Sequence, residues 1–265
     1  MTTKSRTRRL ATLVSASFLI AGTAIFSALP AQAAPGQPGS SSGKVAYAAL
    51  GDSYAAGVGG GEYLDPCFRS PNSYASIVAD GPGMVHVALR GCASASTTDV
   101  VRTQLAGLDH RTKLVTLTVG ANDLGLDALS AACLGGPIDL CLAAIAAAQA
   151  NLGPLAASLS ATLAAIDAAA PKATVIVTGY PLLVNAPADQ MQALVNAGVA
   201  ALNDVIEATV MAAGDDFVYV DVESEFAGHG LGSADPWLVG PPAPDAFHPN
   251  AAGYAAYADA ILAAI

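Results

Sequence analysis

A chain of 265 residues holds one α/β domain and is too short for two of full size. Its 21 Asp and Glu outweigh 11 Lys and Arg, for a formal charge of −10, which argues against nucleic acid as a partner. The same charge disfavours electrostatic docking on anionic lipid but leaves apolar contact with a lipid substrate open.

In chain order, the first segment reads as an export signal. Lys4, Arg6, Arg8 and Arg9 precede an apolar stretch from Leu10 to Leu29, followed by Pro30 and the small-residue site Ala31-Gln32-Ala33. Cleavage is expected after Ala33, giving a secreted protein with no stable insertion in the membrane. The stretch is also long enough to cross a bilayer, so an uncleaved anchor is the alternative, and export holds in both cases. The Arg8-Arg9 pair fits a twin-arginine signal as well as an ordinary basic n-region. Loss of residues 1–33 removes four basic and no acidic residues; 7 Lys and Arg against 21 Asp and Glu leave −14. Residues 34–43, with two prolines and the run Gly39 to Gly43, have the composition of a flexible tether. The folded domain is expected over 44–265, as a monomer.

Beyond the tether, short apolar runs alternate with longer Ala-rich segments. Strands are predicted at Val45–Leu50, Met84–Leu89, Leu114–Val119, Thr174–Thr178 and Phe217–Val220. Their near-continuous Val, Leu and Ile content suits a parallel sheet buried on both faces, hence a three-layer α/β/α sandwich with five parallel strands, flavodoxin-like. Helices are predicted over Leu140–Ala169, interrupted near Gly153-Pro154, and over Ala188–Ala213 and Ala251–Ile265. Few aromatic residues and abundant Ala predict close helix-to-sheet packing in place of bulky layers.

The four cysteines, Cys67, Cys92, Cys133 and Cys141, lie beyond the signal, and an even number in an exported chain favours disulfides. Of three possible pairings, Cys67–Cys92 and Cys133–Cys141 each close a local loop, worth about 3.5 and about 2.5 kcal/mol by chain entropy. No Cys-x-x-Cys pair or clustered histidine accompanies them, so no zinc site is expected.

In doubly wound sheets chemistry gathers where strands end at their carboxyl side. The first strand ends in Gly51-Asp52-Ser53-Tyr54-Ala55, a serine in a glycine-flanked turn that suits an exposed nucleophile and also fits an ordinary turn. It is not a Gly-x-Ser-x-Gly elbow, because Ala55 replaces the second glycine. The second strand leads to Gly91-Cys92-Ala93-Ser94-Ala95-Ser96-Thr97-Thr98, small residues whose amides a substrate can approach. The plainer reading is a helix start capped by Thr97 or Thr98. The third leads to Gly120-Ala121-Asn122-Asp123, where the Asn122 amide suits an oxyanion donor or an Asx turn. Before the last helix stands Asp245-Ala246-Phe247-His248, a carboxylate three residues from an imidazole it can orient. Of the other histidines, His86 and His110 read as structural or solvated, and His229, in a loop after the fifth strand, is the rival base.

These blocks, in this order, resemble the SGNH (GDSL-like) hydrolase superfamily, with its Gly-Asp-Ser, Gly, Gly-x-Asn-Asp and Asp-x-x-His blocks, over essentially the whole domain. The likeness is to exported bacterial esterases and lipases, which also carry cysteines near the second block and after the third. It implies Ser53 as nucleophile, His248 as general base and Asp245 as its orienting carboxylate. The oxyanion would be met by the Ser53 amide, the Ala95 or Gly91 amide and the Asn122 side chain. The family's second-block glycine falls on Ala95, whose backbone amide can serve equally. No metal or organic cofactor is implied. The expected substrate is a small-molecule or lipid ester of a carboxylic acid. A carbohydrate acetyl esterase is the alternative, and a non-catalytic surface-binding module would be marked by loss of Ser53 or His248, both present. Trp237, in the proline-rich stretch 235–242, would either wall an acyl pocket or cover the core.

Overall fold

The computed structural model describes residues 43–133 and 137–265. The expected signal over 1–33, and the tether except Gly43, lie outside the described residues. The five strands are β1 (Val45–Gly51), β2 (Met84–Leu89), β3 (Thr112–Thr118), β4 (Thr174–Thr178) and β5 (Phe217–Val220). All neighbours run parallel in the order β2-β1-β3-β4-β5, the expected α/β/α architecture. Strand order reverses between β1 and β3, so their carboxyl ends open a crevice where such sheets place their ligands.

Among the helices, α1 (Ser53–Ala56) and α2 (Tyr74–Ala79) follow β1, and α3 (Thr97–Asp99) runs into a π-type turn at Val100–Gln104. A 3₁₀ turn at Asn122–Leu124 leads to α4 (Leu126–Cys133), α5 (Ile138–Ala150) and α6 (Leu152–Ala169); α7 (Gln190–Ala213) and α8 (Ala251–Ala263) complete the set. The break in the long Ala-rich segment falls at Asn151, before the Gly153-Pro154 step. Proline lacks only an N–H that the first turn of α6 leaves unpaired in any case, so Pro154 sits inside that turn. Helix α2 packs on α8, and α6 packs on α3 and α7. The buried core joins Leu155, Leu159, Leu163 and Ile166 of α6 to Leu202, Ile206 and Val210 of α7 and to Val115 and Leu117 of β3.

The other side departs from the close Ala-rich packing expected. Tyr47, Tyr74, Tyr254 and Tyr257 are buried there, with Tyr74 stacked on Tyr257 at 5.1 Å between ring centres. Tyr47 and Tyr74 find hydroxyl partners in the sheet, Thr116 at 2.8 Å and Thr118 at 2.7 Å, with Thr118 bonding Thr178 at 2.6 Å, while Tyr254 donates to the Val58 carbonyl at 2.6 Å. A bulky aromatic layer is possible because threonines alternate along β3 and present hydroxyls to one face only. At the edge, β2 takes an irregular step at His86, whose φ is +49°, as β1 passes from Ala46 to Ala48. His86 is exposed there.

Cys67 is joined to Cys92 and Cys133 to Cys141, with Cα–Cα separations of 4.4 and 4.5 Å.

Candidate active site

Ser53 opens α1 directly after β1, and the turn before it depends on Gly51. Its φ is +130°, and a Cβ there would lie 2.1 Å from the Thr118 carbonyl oxygen, so only glycine fits. The buried Gln104 side chain grips the same residue, accepting from the Gly51 N–H at 2.7 Å and donating to its carbonyl at 2.8 Å. Asp52 caps α1 by accepting from the Tyr54 N–H at 3.0 Å, and its other oxygen accepts from the Tyr180 hydroxyl at 2.5 Å. Burial pushes the Asp52 carboxyl up to about 7, against the lowering pull of the Tyr180 and Tyr54 hydrogen bonds. As the first residue of α1, Ser53 has an N–H with no acceptor inside the helix.

The loop before α8 brings His248 to this serine. Its Nε2 lies 2.8 Å from Ser53 Oγ. Its Nδ1 faces two backbone carbonyls, Asp245 at 3.2 Å and Ala246 at 3.1 Å. A proton on Nδ1 satisfies both carbonyls and leaves Nε2 as the acceptor that a general base needs. Burial pushes the imidazole below its ordinary value, with the two carbonyls and the Asp245 charge pulling the other way. Three contacts shape the loop. Tyr54 donates its hydroxyl to the Phe247 carbonyl at 2.6 Å. Val239 donates its N–H to the His248 carbonyl and accepts from the Phe247 N–H, both at 2.8 Å. Gly59 packs so close that a Cβ would meet the Pro249 carbonyl oxygen at 2.3 Å.

The Asp245 carboxylate, expected on the imidazole, is not on His248: it accepts from the Tyr63 hydroxyl at 2.6 Å, and the carbonyl of the same residue faces the ring. The physical reason is the turn itself, in which the His248 N–H bonds the Asp245 carbonyl at 3.3 Å and brings that oxygen, not the side chain, beside the imidazole.

The second and third blocks meet as expected, but with different groups. Asn122 donates its side-chain amide to the Ala95 carbonyl at 3.0 Å, which leaves its second amide hydrogen free of that bond. Asp123 accepts from the Thr97 N–H at 3.0 Å and its hydroxyl at 2.5 Å, tying the segments together. The Ala95 N–H is committed to the Cys92 carbonyl at 3.1 Å across a turn whose Ser94 has φ +63°, so Ala95 offers the site a carbonyl where an amide was expected. Gly91 has a packing reason to be glycine, since a Cβ would lie 2.8 Å from the Ala55 carbonyl carbon and the Ala56 nitrogen. The cap is Ser96, one residue before the Thr97 and Thr98 expected, in a capping box with Asp99.

The rival histidine stands elsewhere. His229 stacks on Trp237 at 3.6 Å between ring centres, its Nδ1 2.9 Å from the Asp235 carbonyl. Trp237 also packs edge-on against Phe226 at 5.6 Å and lies against the hydrophobic core, which agrees with a covering role. Gln104, Tyr54, Tyr63 and Tyr180 escaped the sequence reading, because no motif marks a residue that acts through a partner far away in the chain.

A serine hydrogen-bonded to a carbonyl-held imidazole, at the switch point of a parallel sheet, is the arrangement of a serine hydrolase. The GDSL-like lipase/acylhydrolase family model matches residues 49–256, and the chain belongs to that family. It is a carboxylic ester hydrolase. It is 36% identical to a lipase of Streptomyces rimosus, over 94% of this chain and 95% of the relative, and 34% identical to lipase 1 of Streptomyces coelicolor, over 92% and 94%. Among solved structures, a phospholipase A1 of Streptomyces albidoflavus superposes with a TM-score of 0.78 at 30% identity, covering 83% of this chain and 99% of that one. The extracellular lipase of S. rimosus superposes with a TM-score of 0.76, covering 83% and 100%.

Proposed function

We propose that the protein is an exported esterase of lipid-like or simple acyl substrates, working through a Ser53–His248 dyad with backbone carbonyls in place of a third acidic side chain. The observation that carries this is the 2.8 Å contact of His248 Nε2 with Ser53 Oγ while Nδ1 faces the Asp245 and Ala246 carbonyls. Ser53 Oγ attacks the ester carbonyl carbon as Nε2 takes its proton. The imidazolium then donates from Nδ1 to the two carbonyls, whose dipoles stabilise its charge. Nε2 returns the proton to the leaving alkoxide, and a water activated by the same nitrogen hydrolyses the acyl-serine.

The oxyanion is met by the Ser53 N–H and the free hydrogen of the Asn122 amide. The Ala95 N–H joins them only by exchanging the Cys92 carbonyl for the oxyanion. An export signal over 1–33 cut after Ala33, a tether over 34–43 and a monomeric domain over 44–265 that stays out of the bilayer complete the reading. The lipase and phospholipase names of relatives at 30–36% identity support lipid esters as the substrate class.

The test is hydrolysis of p-nitrophenyl esters of increasing chain length by the purified mature protein, with Ser53→Ala as control. Serine-dependent turnover favouring medium or long chains is expected. Turnover that survives Ser53→Ala would refute the dyad, and an optimum at acetate would move the substrate to short esters.

A further inference from the structure

The loop between α1 and α2 carries a tyrosine that bridges the two halves of the dyad. Tyr63 accepts a hydrogen bond from the Gly59 N–H at 2.9 Å and donates its own hydrogen to the Asp245 carboxylate at 2.6 Å. Gly59 belongs to the stretch just past the nucleophile helix; Asp245 opens the turn that holds the base. The bridge spans 182 residues of sequence and ends on the residue whose carbonyl faces His248 Nδ1.

Tyr63 is not a loose surface side chain. Its ring packs edge-on against Phe68 at 5.2 Å. Its loop is pinned by the Cys67–Cys92 disulfide, by the Ala93 N–H on the Cys67 carbonyl at 3.0 Å, and by Asn72 donating to the Gly60 carbonyl at 2.8 Å. The hydroxyl is therefore presented from a fixed platform, which keeps the entropic cost of holding Asp245 small. The carboxylate for its part has a charge-assisted bond, the stronger kind.

We propose that Tyr63 is a positioning residue for the general base: by bridging the Gly59 amide and the Asp245 carboxylate it fixes the Asp245 carbonyl against His248 Nδ1. On this inference, which rests on the Ser53–His248 reading, the Asp245 carboxylate serves the base at one remove, as the far end of a latch. Its hydroxyl bonds Gly59 and Asp245, not Ser53 or His248. Its loss lets the turn rotate, so the imidazole spends less time aligned with Ser53 Oγ, and turnover falls while substrate affinity stays.

The experiment uses the mature protein and compares Tyr63→Phe, Asp245→Ala, Asp245→Asn and the Tyr63→Phe/Asp245→Ala double variant on one p-nitrophenyl ester, with thermal melts for each. Tyr63→Phe and Asp245→Ala are each expected to lower kcat about tenfold with KM within about twofold of wild type, the scale of a sub-ångström misalignment. The double variant should fall no further than either single one, because both remove the same contact. Asp245→Asn keeps an oxygen that accepts from Tyr63 and should retain more activity than Asp245→Ala.

Wild-type kcat in Tyr63→Phe overturns the proposal, as do losses that multiply in the double variant. A fall of about 10⁴-fold in Asp245→Asn would also overturn it, since a carboxylate acting on the imidazole directly loses that much. If Tyr63→Phe fails to fold, Asp245→Ala and Asp245→Asn still read the latch from its other end. Turnover by Ser53→Ala would sink the dyad itself, a result none of the latch variants can produce.

Discussion

Gly59 is where the base meets the nucleophile's own chain, and replacing it with alanine should cost both stability and rate. Its φ of +94° strains any residue with a Cβ, worth about 1–3 kcal/mol. The added methyl would also lie 2.3 Å from the Pro249 carbonyl oxygen and 3.0 Å from His248 Cβ, where ordinary contact needs about 3.5 Å, so the His248–Pro249 segment must retreat by about 1 Å. Such a retreat stretches the 2.8 Å contact of Nε2 with Ser53 Oγ beyond hydrogen-bonding range. A misplacement of that size costs about 10²-fold in rate. Gly61 is the control: it shares the loop and a positive φ, +72°, but nothing lies within 4 Å of its Cβ position. Gly61→Ala should therefore lower the melting temperature by roughly 2–4 °C, for about 1 kcal/mol of strain, and leave kcat/KM near wild type. Measuring kcat/KM and melting curves for both separates strain from misplacement. Should Gly59→Ala keep kcat/KM within about threefold of wild type, like Gly61→Ala, the claim that this contact holds the base in place is wrong.

The same geometry sets the pH profile and the weight of the oxyanion donor. Because burial pushes His248 below its ordinary 6.5, and only the neutral ring accepts a proton, kcat/KM should rise with pH to a plateau through a midpoint below 6.5. A midpoint above 7 in a pH–rate profile would mean that a carboxylate, not two carbonyls, backs the ring. Asn122→Ala should lower kcat by about 10²–10³-fold with little change in KM, as expected for loss of an oxyanion donor. A fall of less than about tenfold in steady-state assays would remove Asn122 from the oxyanion hole.

The architecture was readable because each strand is a short apolar run, and three of the four blocks sit just after a strand while the Asp245–His248 block precedes α8. The places of Ser53, Asn122 and His248 were readable because a block beside a strand end or a helix start has a fixed position in this fold. The residues just past β1 and β3 land in the crevice between those strands. The tyrosine layer was not legible, since a few aromatic residues scattered over the chain converge only once α2, α8 and the threonines of the sheet are assembled. Gln104 and Tyr63 were missed on similar grounds, as their partners lie 53 and 182 residues away.

Asp245 is the instructive case, because its spacing to His248 was legible while its role was not. An i, i+3 turn brings the first residue's carbonyl toward the fourth residue's N–H, and here that bond is 3.3 Å from His248 N to Asp245 O. The same oxygen, 3.2 Å from Nδ1, is thus brought to the ring by the turn, whose head the Tyr63 hydrogen bond holds. The side chain at the head of the turn is free to point elsewhere, and Tyr63 decides where. An Asp-x-x-His block read from letters cannot distinguish these two oxygens, since every residue type carries a carbonyl and only the acid carries a carboxylate. The spacing predicts that something at position 245 will hold the imidazole. Which atom does so depends on a tyrosine in another loop, held in place by a disulfide to the segment beyond β2.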